Sequence, residues 1–360
     1  MSWNVTDHVT IYREKGWYAA HPNLVRTPSG DLLVLFHRAT DLGYSHHRHP
    51  LFDMRSCRST DEGQTWSEAK FVVSDPLGGV LDHGAHTLSD GSIFLHCSNV
   101  ELHPEQCDPI DKFKWRINNG GKPFWSRSMD DGHTWSEPTR FPPLPDALWG
   151  APATHSGICR SGMLECDGRL LLPSKATHRD EGRKPYFGMM RVSHDSGSTW
   201  EYGGRIAEDD VAHFSEPAIV QTESGRILVL FRCYKGPDPD RYPWFISKVY
   251  SDDGGETWSE WQETTIRGCP AHLLKLSDGR ILFTVGTRWE GQYGCKAKVL
   301  NPAASDLEDA LDIIVRSDSN NSDCGYPWSV ELNDGRLLVV YYFVYENDTV
   351  GIEGTILEET

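Results

Sequence analysis

The sequence predicts an all-β fold, a six-bladed β-propeller of four-stranded antiparallel blades in which residues 1–360 form one domain. Three observations carry that expectation. The frame S-x-D-x-G-x-T-W occurs four times, at 59–66, 128–135, 193–200 and 251–258, with Asp61, Asp130, Asp195 and Asp253 spaced by 69, 65 and 58 residues. A fixed motif at such a period marks an array of similar supersecondary units. A strand–turn–strand pattern occurs six times, and 33 Gly and 13 Trp accompany many short apolar runs without a sustained helical period.

The repeated frame has the chemistry of a tight turn. Its Asp accepts bonds from the backbone N–H groups of its own turn, its Gly permits a positive φ, and its Trp anchors the turn on apolar surface. It is a folding device and does not by itself mark an active site.

The six hairpins are 21–38, 82–99, 155–175, 215–232, 270–288 and 325–343, with turn glycines Gly30, Gly91, Gly168, Gly225, Gly279 and Gly335. Each of the first four is followed by the Asp turn, which a third strand enters and a fourth leaves; in the first unit these are 54–59 and 68–72. The fifth unit keeps two strands within 295–315 and loses the turn motif. The sixth ends with one strand, 350–359, and its missing fourth strand is expected from 9–14. Strands from both termini would then close the ring and remove exposed sheet edges. The longest insertions, 39–53 and 100–123, are of a length that usually serves function.

The net charge of −17 argues against nucleic acid and anionic membranes as partners. The first residues have neither a basic nor an apolar signal region, so a cytoplasmic location is expected, and no run is long enough to span a bilayer. Nine scattered Cys without a C-x-x-C pair read as free buried thiols.

In a blade of this type the start of the innermost strand and the end of the second lie at the same face. Nine residues before the turn glycines stand His21, Asp82, Cys159, Glu216, Pro270 and Tyr326, with His155 as the alternative to Cys159 in the longer third hairpin. Seven to nine residues after them stand Arg38, Asn99, Lys175, Arg232, Arg288 and Tyr342. All are expected around one mouth of the central channel. Arg38, Lys175, Arg232 and Arg288 favour a carboxylate or another planar anion there, although arginines that end strands are often only solvated or paired locally. Glu216 and Tyr326 hold equivalent positions, and a carboxylate beside a phenol can serve as its base. Glu-Pro and Tyr-Pro also read as simple strand-start punctuation. His21, His83, His86, His155 and His272 lie at or near inner-strand starts, but their spacing matches no compact ligand motif; no metal and no cofactor are expected. The loop 44–50, rich in His and Arg, either reaches over the mouth or is solvated.

At these residues the chain resembles the sialidase (neuraminidase) superfamily, the BNR or Asp-box proteins. The four Asp boxes carry the resemblance, which covers nearly the whole chain. It implies a Tyr nucleophile at the start of the last blade, matched by Tyr326, its partner Glu at the start of the fourth, matched by Glu216, and a carboxylate-binding Arg matched by Arg232. The chain departs from the family at Ala20-His21-Pro22, where the first triad Arg is missing; the third Arg falls near Lys296 or is replaced by Arg288. The loop that carries the family's catalytic Asp reads HHRH (46–49), leaving Asp41 or Asp53 as substitutes. The expectation is an exo-glycoside hydrolase that removes a terminal, anionic sugar. Tyr326 attacks, Glu216 takes its proton, and Asp53, Asp41, Asp82 or a histidine such as His21 is the acid. Arg38, Arg232, Arg288, Lys175, Asp82, His83, His86 and His155 contact the sugar. Two other readings keep the propeller: a polysaccharide lyase using His and Tyr on a uronic acid, and a carbohydrate-binding propeller without catalysis.

Overall fold

Every expected turn glycine sits in left-handed backbone, from Gly168 (φ 74°) to Gly30 (φ 99°), and closes two antiparallel strands. The computed structural model describes residues 2–41, 49, 51–102, 117–119, 122–144, 153–157, 160–178, 185–236 and 244–360. The hairpins are Trp17–Arg26 with Leu32–Thr40, Gly78–Thr87 with Ile93–Leu102, Ala212–Gln221 with Ile227–Lys235, Ala271–Lys275 with Ile281–Thr287, and Gly325–Glu331 with Leu337–Val344. In the remaining hairpin two short strands, Ala153–Gly157 and Leu164–Cys166, both pair with Arg169–His178. The inner strand is therefore interrupted, which explains why the count from Gly168 gave no single counterpart there.

Third and fourth strands add outward in order, so the chain is an all-β propeller of four-stranded antiparallel blades. The fifth unit, which lacks the box, still forms Gly294–Leu300 and Ile313–Arg316. The terminal strands pair as expected: Trp3–Tyr12 runs antiparallel to Val350–Glu359. This strand begins six residues earlier than its apolar pattern suggests. Asn4 to His8 are exposed and are held by backbone pairing at the outer edge. The first and last hairpins share one eight-stranded sheet, whose two halves join through the single parallel pair Tyr18–Val350.

The boxes form as the motif chemistry demands. In the first, Ser59 Oγ donates to Asp61 at 2.8 Å and accepts from Gly63 N at 2.8 Å, and Asp61 accepts from Thr65 N and Oγ1 at 2.9 and 2.6 Å. The other three repeat these bonds. The Thr donors hold Asp61, Asp130, Asp195 and Asp253 down at about 2. Each box packs against another unit's hairpin: a Cβ on Gly132 would stand 2.5 Å from Leu33, and one on Gly197 2.9 Å from Phe94. Apolar residues of the second strands, such as Leu33, Phe94, Leu171 and Leu338, thus fill the space between sheets, fully buried. The described cysteines, seven of the nine, are free and buried.

Candidate functional site

Four of the residues counted from the turn glycines share one unusual backbone state. His21 (φ 53°), Asp82 (φ 44°), Glu216 (φ 47°) and Tyr326 (φ 55°) are left-handed although none is glycine. Each sits where its hairpin register breaks, between Ala20 and Asn23, Leu81 and Gly84, Ser215 and Ala218, and Gly325 and Trp328. A bulge of this kind re-aims one side chain out of the ladder alternation. Such a conformation costs roughly 1–3 kcal/mol per residue, and it persists where surrounding structure enforces it, often at functional sites. Pro22, Pro217 and Pro327 follow three of these residues, in gaps where no ladder N–H is needed.

The bulges bring distant side chains together. The Tyr326 hydroxyl donates to Glu216 Oε1 at 2.5 Å. Arg232 donates to Glu216 Oε2 at 2.7 Å and reaches the Tyr326 oxygen at 3.3 Å, while its guanidinium lies 4.0 Å from the Trp244 ring centroid. The His21 ring stacks on Tyr326, with centroids 3.9 Å apart and planes at 2°, and its Nδ1 lies 3.7 Å from Asp82 Oδ1. Arg288 stands 5.1 Å from the Tyr326 ring and is tied to the Cys324 carbonyl at 2.9 Å and to the Tyr342 hydroxyl, which itself donates to Asp323. Burial drives the Glu216 carboxyl up, but the Arg232 cation, the Tyr326 hydroxyl and Lys175 outweigh it and hold the carboxyl at about 2. Burial and the Glu216 charge push the Tyr326 phenol well above its usual value, against Arg232 and Arg288. The resting pair is a carboxylate and a neutral phenol.

The BNR repeat-like domain model matches residues 112–339, more than half of the chain. The chain belongs to the BNR repeat-like domain family. A sialidase of Paraclostridium sordellii is 21% identical over 94% of this chain and 86% of its own length. Among solved structures, a Dyadobacter fermentans protein of unknown function is 29% identical with a TM-score of 0.86, covering 99% of both chains. A Penicillium chrysogenum α-L-arabinanase complexed with arabinobiose shares the fold at 15% identity, with a TM-score of 0.64 over 98% of both chains. These similarities place this BNR repeat-like chain in the sialidase superfamily.

Within that frame, the other residues expected around the mouth divide. Lys175 lies 5.3 Å from the Tyr186 ring and close enough to Glu216 to lower its pKa. Arg38 is turned toward the N-terminal strand. It donates to the Tyr12 hydroxyl at 2.8 Å and to Glu14 at 3.1 Å, and covers Trp17 at 3.9 Å. Asp53 is paired with Arg55 on its own strand, and among the described residues no hydrogen bond or ion pair joins it to Tyr326 or Glu216. Of the acids expected, Asp82 is the one that stands at the Tyr326–His21 stack. His83 and His86 also need correction. His83 is fully buried behind Asp82, with Nε2 3.4 Å from the Leu35 carbonyl. His86 is partly buried four residues farther along the strand, 5.8 Å from Trp328 and stacked on His96. The register break between Leu81 and Gly84 turns Asp82 out of the ladder and leaves His83 buried in the wall. His272, likewise buried, bonds Ser329 at 3.0 Å. His155 is placed by its backbone opposite Thr177, and Cys159, His46, His47 and Arg48 lie outside the described residues.

One buried residue at this site escaped the sequence reading. Arg160 stands in the interruption of the third inner strand, 1% exposed, and donates to the carbonyls of Tyr326 and Pro327 at 3.0 and 2.5 Å. A charged residue inside an otherwise apolar hairpin segment was the available signal, but the count from Gly168 led to Cys159 or His155.

Proposed function

We propose that this chain is an exo-glycoside hydrolase with Tyr326 as nucleophile and Glu216 as its base. The observation that carries the reading is the 2.5 Å bond from the phenol to a carboxylate that is buried and ionised. In the first step the Tyr326 oxygen forms a bond to the anomeric carbon and passes its proton to Glu216. The glycosidic C–O bond breaks with its electron pair on the departing oxygen, which Asp82 protonates. Water then reverses the sequence, with Asp82 as base and the sugar released from Tyr326. A carboxyl held at about 2 is too weak to ionise a phenol at rest, so the proton moves only as the new bond drains charge from the oxygen. A neutral resting phenol also avoids repelling an anionic sugar.

The sugar class has two readings. A terminal anionic sugar fits Arg232 and Lys175 beside the pair, as the resemblance implies. A neutral furanose is favoured by the ties that already occupy Arg38 and Arg288 within the protein, and the arabinanase similarity supports it. A histidine-based lyase reading has His21 as its candidate, since His83 and His272 are buried away from the stack. We also read the ring as six-bladed. Each of six hairpins begins a blade, and one parallel pair is too slight a link to make the eight-stranded sheet a single blade. Hydrolysis of aryl sialosides, uronides and α-L-arabinofuranosides by wild type and Tyr326→Phe tests the reading. Turnover that disappears with the hydroxyl supports it, and turnover that survives removes Tyr326 as nucleophile.

A further inference from the structure

We propose that Arg160 is a positioning residue for Tyr326: it clamps the Tyr326 and Pro327 carbonyls, locks the phenol in its left-handed bulge, and sets a permanent positive charge beside the ring where tyrosinate character develops. The proposal rests on Tyr326 being the nucleophile. Three observations support it. The first is cost. A fully buried guanidinium gives up its hydration, a loss normally recovered from a carboxylate. Among the described residues Arg160 has no carboxylate ion pair, and its Nε has no hydrogen-bond partner. Its compensation comes from the two carbonyls and from the faces of Tyr326 and Trp328, at 5.5 and 4.8 Å. The second is placement. Arg160 comes from the third hairpin and Tyr326 from the sixth, so the clamp crosses the channel to reach the one peptide that must adopt φ 55° to aim the phenol at Glu216. The third is the direction of the charge. Burial opposes the charged guanidinium, but Tyr326, Glu216, Cys295 and Asp82 all favour it, and an arginine side chain keeps its proton.

The surrounding charges define what a test must separate. Tyr326 faces Glu216 and Asp82, which oppose its ionisation, and Arg232, Arg288 and Arg160, which favour it. His21 and Tyr342 contact its ring, and His83 and His272 also feel the Arg160 charge. Removing the Arg160 charge therefore leaves the other groups in place and moves the Tyr326 titration upward.

The decisive experiment is carbon-13 NMR of the tyrosine-labelled chain of residues 1–360, with the Tyr326 Cζ resonance assigned by its loss in Tyr326→Phe. Arg160→Gln keeps a carbonyl donor and loses the charge, and its Tyr326 midpoint is expected to rise by about one pH unit or more, a factor of ten in ionisation. Arg160→Lys keeps the charge, and its midpoint is expected to stay nearer that of wild type. A folded Arg160→Gln protein with the wild-type midpoint overturns the proposal. If Arg160→Gln does not fold, Arg160→Lys decides: about a tenfold or greater fall in kcat at unchanged KM, because one ammonium cannot hold both carbonyls, supports the clamp, and wild-type kcat overturns it. The titration needs no turnover, so it stands apart from the hydrolysis test. If Tyr326→Phe retains activity, the nucleophile reading fails whatever the midpoint does.

Discussion

At the residue scale the site depends on a few side chains held in costly states. Glu216 is buried yet ionised because Arg232 and Tyr326 satisfy both of its oxygens. The acid role assigned to Asp82 has a specific signature. Asp82→Asn is expected to lower kcat about 10²–10⁴-fold on substrates with a poor leaving group. The loss should be much smaller on activated aryl glycosides, whose leaving oxygen needs no proton. Equal losses on both kinds of substrate would remove Asp82 as the acid. How far this was readable differs by residue. Tyr326 and Glu216 were legible because a fixed offset from a turn glycine identifies equivalent positions. The deep placement of His83 was not, since the register break beside it shows only in the pairing across the hairpin.

At the element scale two devices recur. The inner-strand bulge is written in the sequence as His-Pro, Glu-Pro and Tyr-Pro at one offset, although those pairs read equally well as strand-start punctuation. Only pairing across the hairpin showed the register break that turns the preceding side chain out of the ladder. The Asp box was legible in full because all its bonds are local. Its glycine has a second duty that is not local. Gly132 has φ 82°, and a Cβ there would stand 2.5 Å from Leu33 Cδ2. Gly132→Ala is expected to destabilise the protein by about 1–3 kcal/mol, from left-handed strain and overpacking together. Chemical denaturation checks this as a lowered midpoint at unchanged slope. An unchanged midpoint would show that the box–hairpin contact yields freely.

At the scale of the whole molecule, closure and the buried centre govern stability. The first strand pairs with the last along nearly its full length, so deleting residues 1–12 uncovers the edge of Val350–Glu359. The truncated protein is expected to melt lower and to self-associate, as an exposed edge invites pairing with another chain. Scanning calorimetry and size-exclusion chromatography test this, and a truncated chain that stays monomeric with an unchanged Tm would contradict it. The centre also sets the response to acid. Burial pushes His83 down to about 3 and drives His96 and His272 well below the ordinary histidine value. Below about pH 6.5 the unfolded chain takes up protons that the folded chain refuses. Stability is therefore complete above that pH and falls as pH drops toward 3. Each such imidazole contributes a slope of at most about 1.4 kcal/mol per pH unit. Unfolding measured between pH 7 and 4 checks this, and a flat profile across that window would show that the histidines are hydrated.

By itself the sequence determined the repeating hairpins, the Asp boxes, the pairing of the two termini and the partnership of Tyr326 with Glu216. All of these follow from spacing along the chain or from offsets within a repeat, which linear order preserves. The tertiary structure decided which partner each cation takes. Arg38 is drawn aside by Glu14, Arg288 is tied to a carbonyl and a phenol, and Arg160 is buried beneath Tyr326. Each outcome depends on a partner brought in from elsewhere in the chain, and a long charged side chain goes to whichever partner the packed ring puts within its reach.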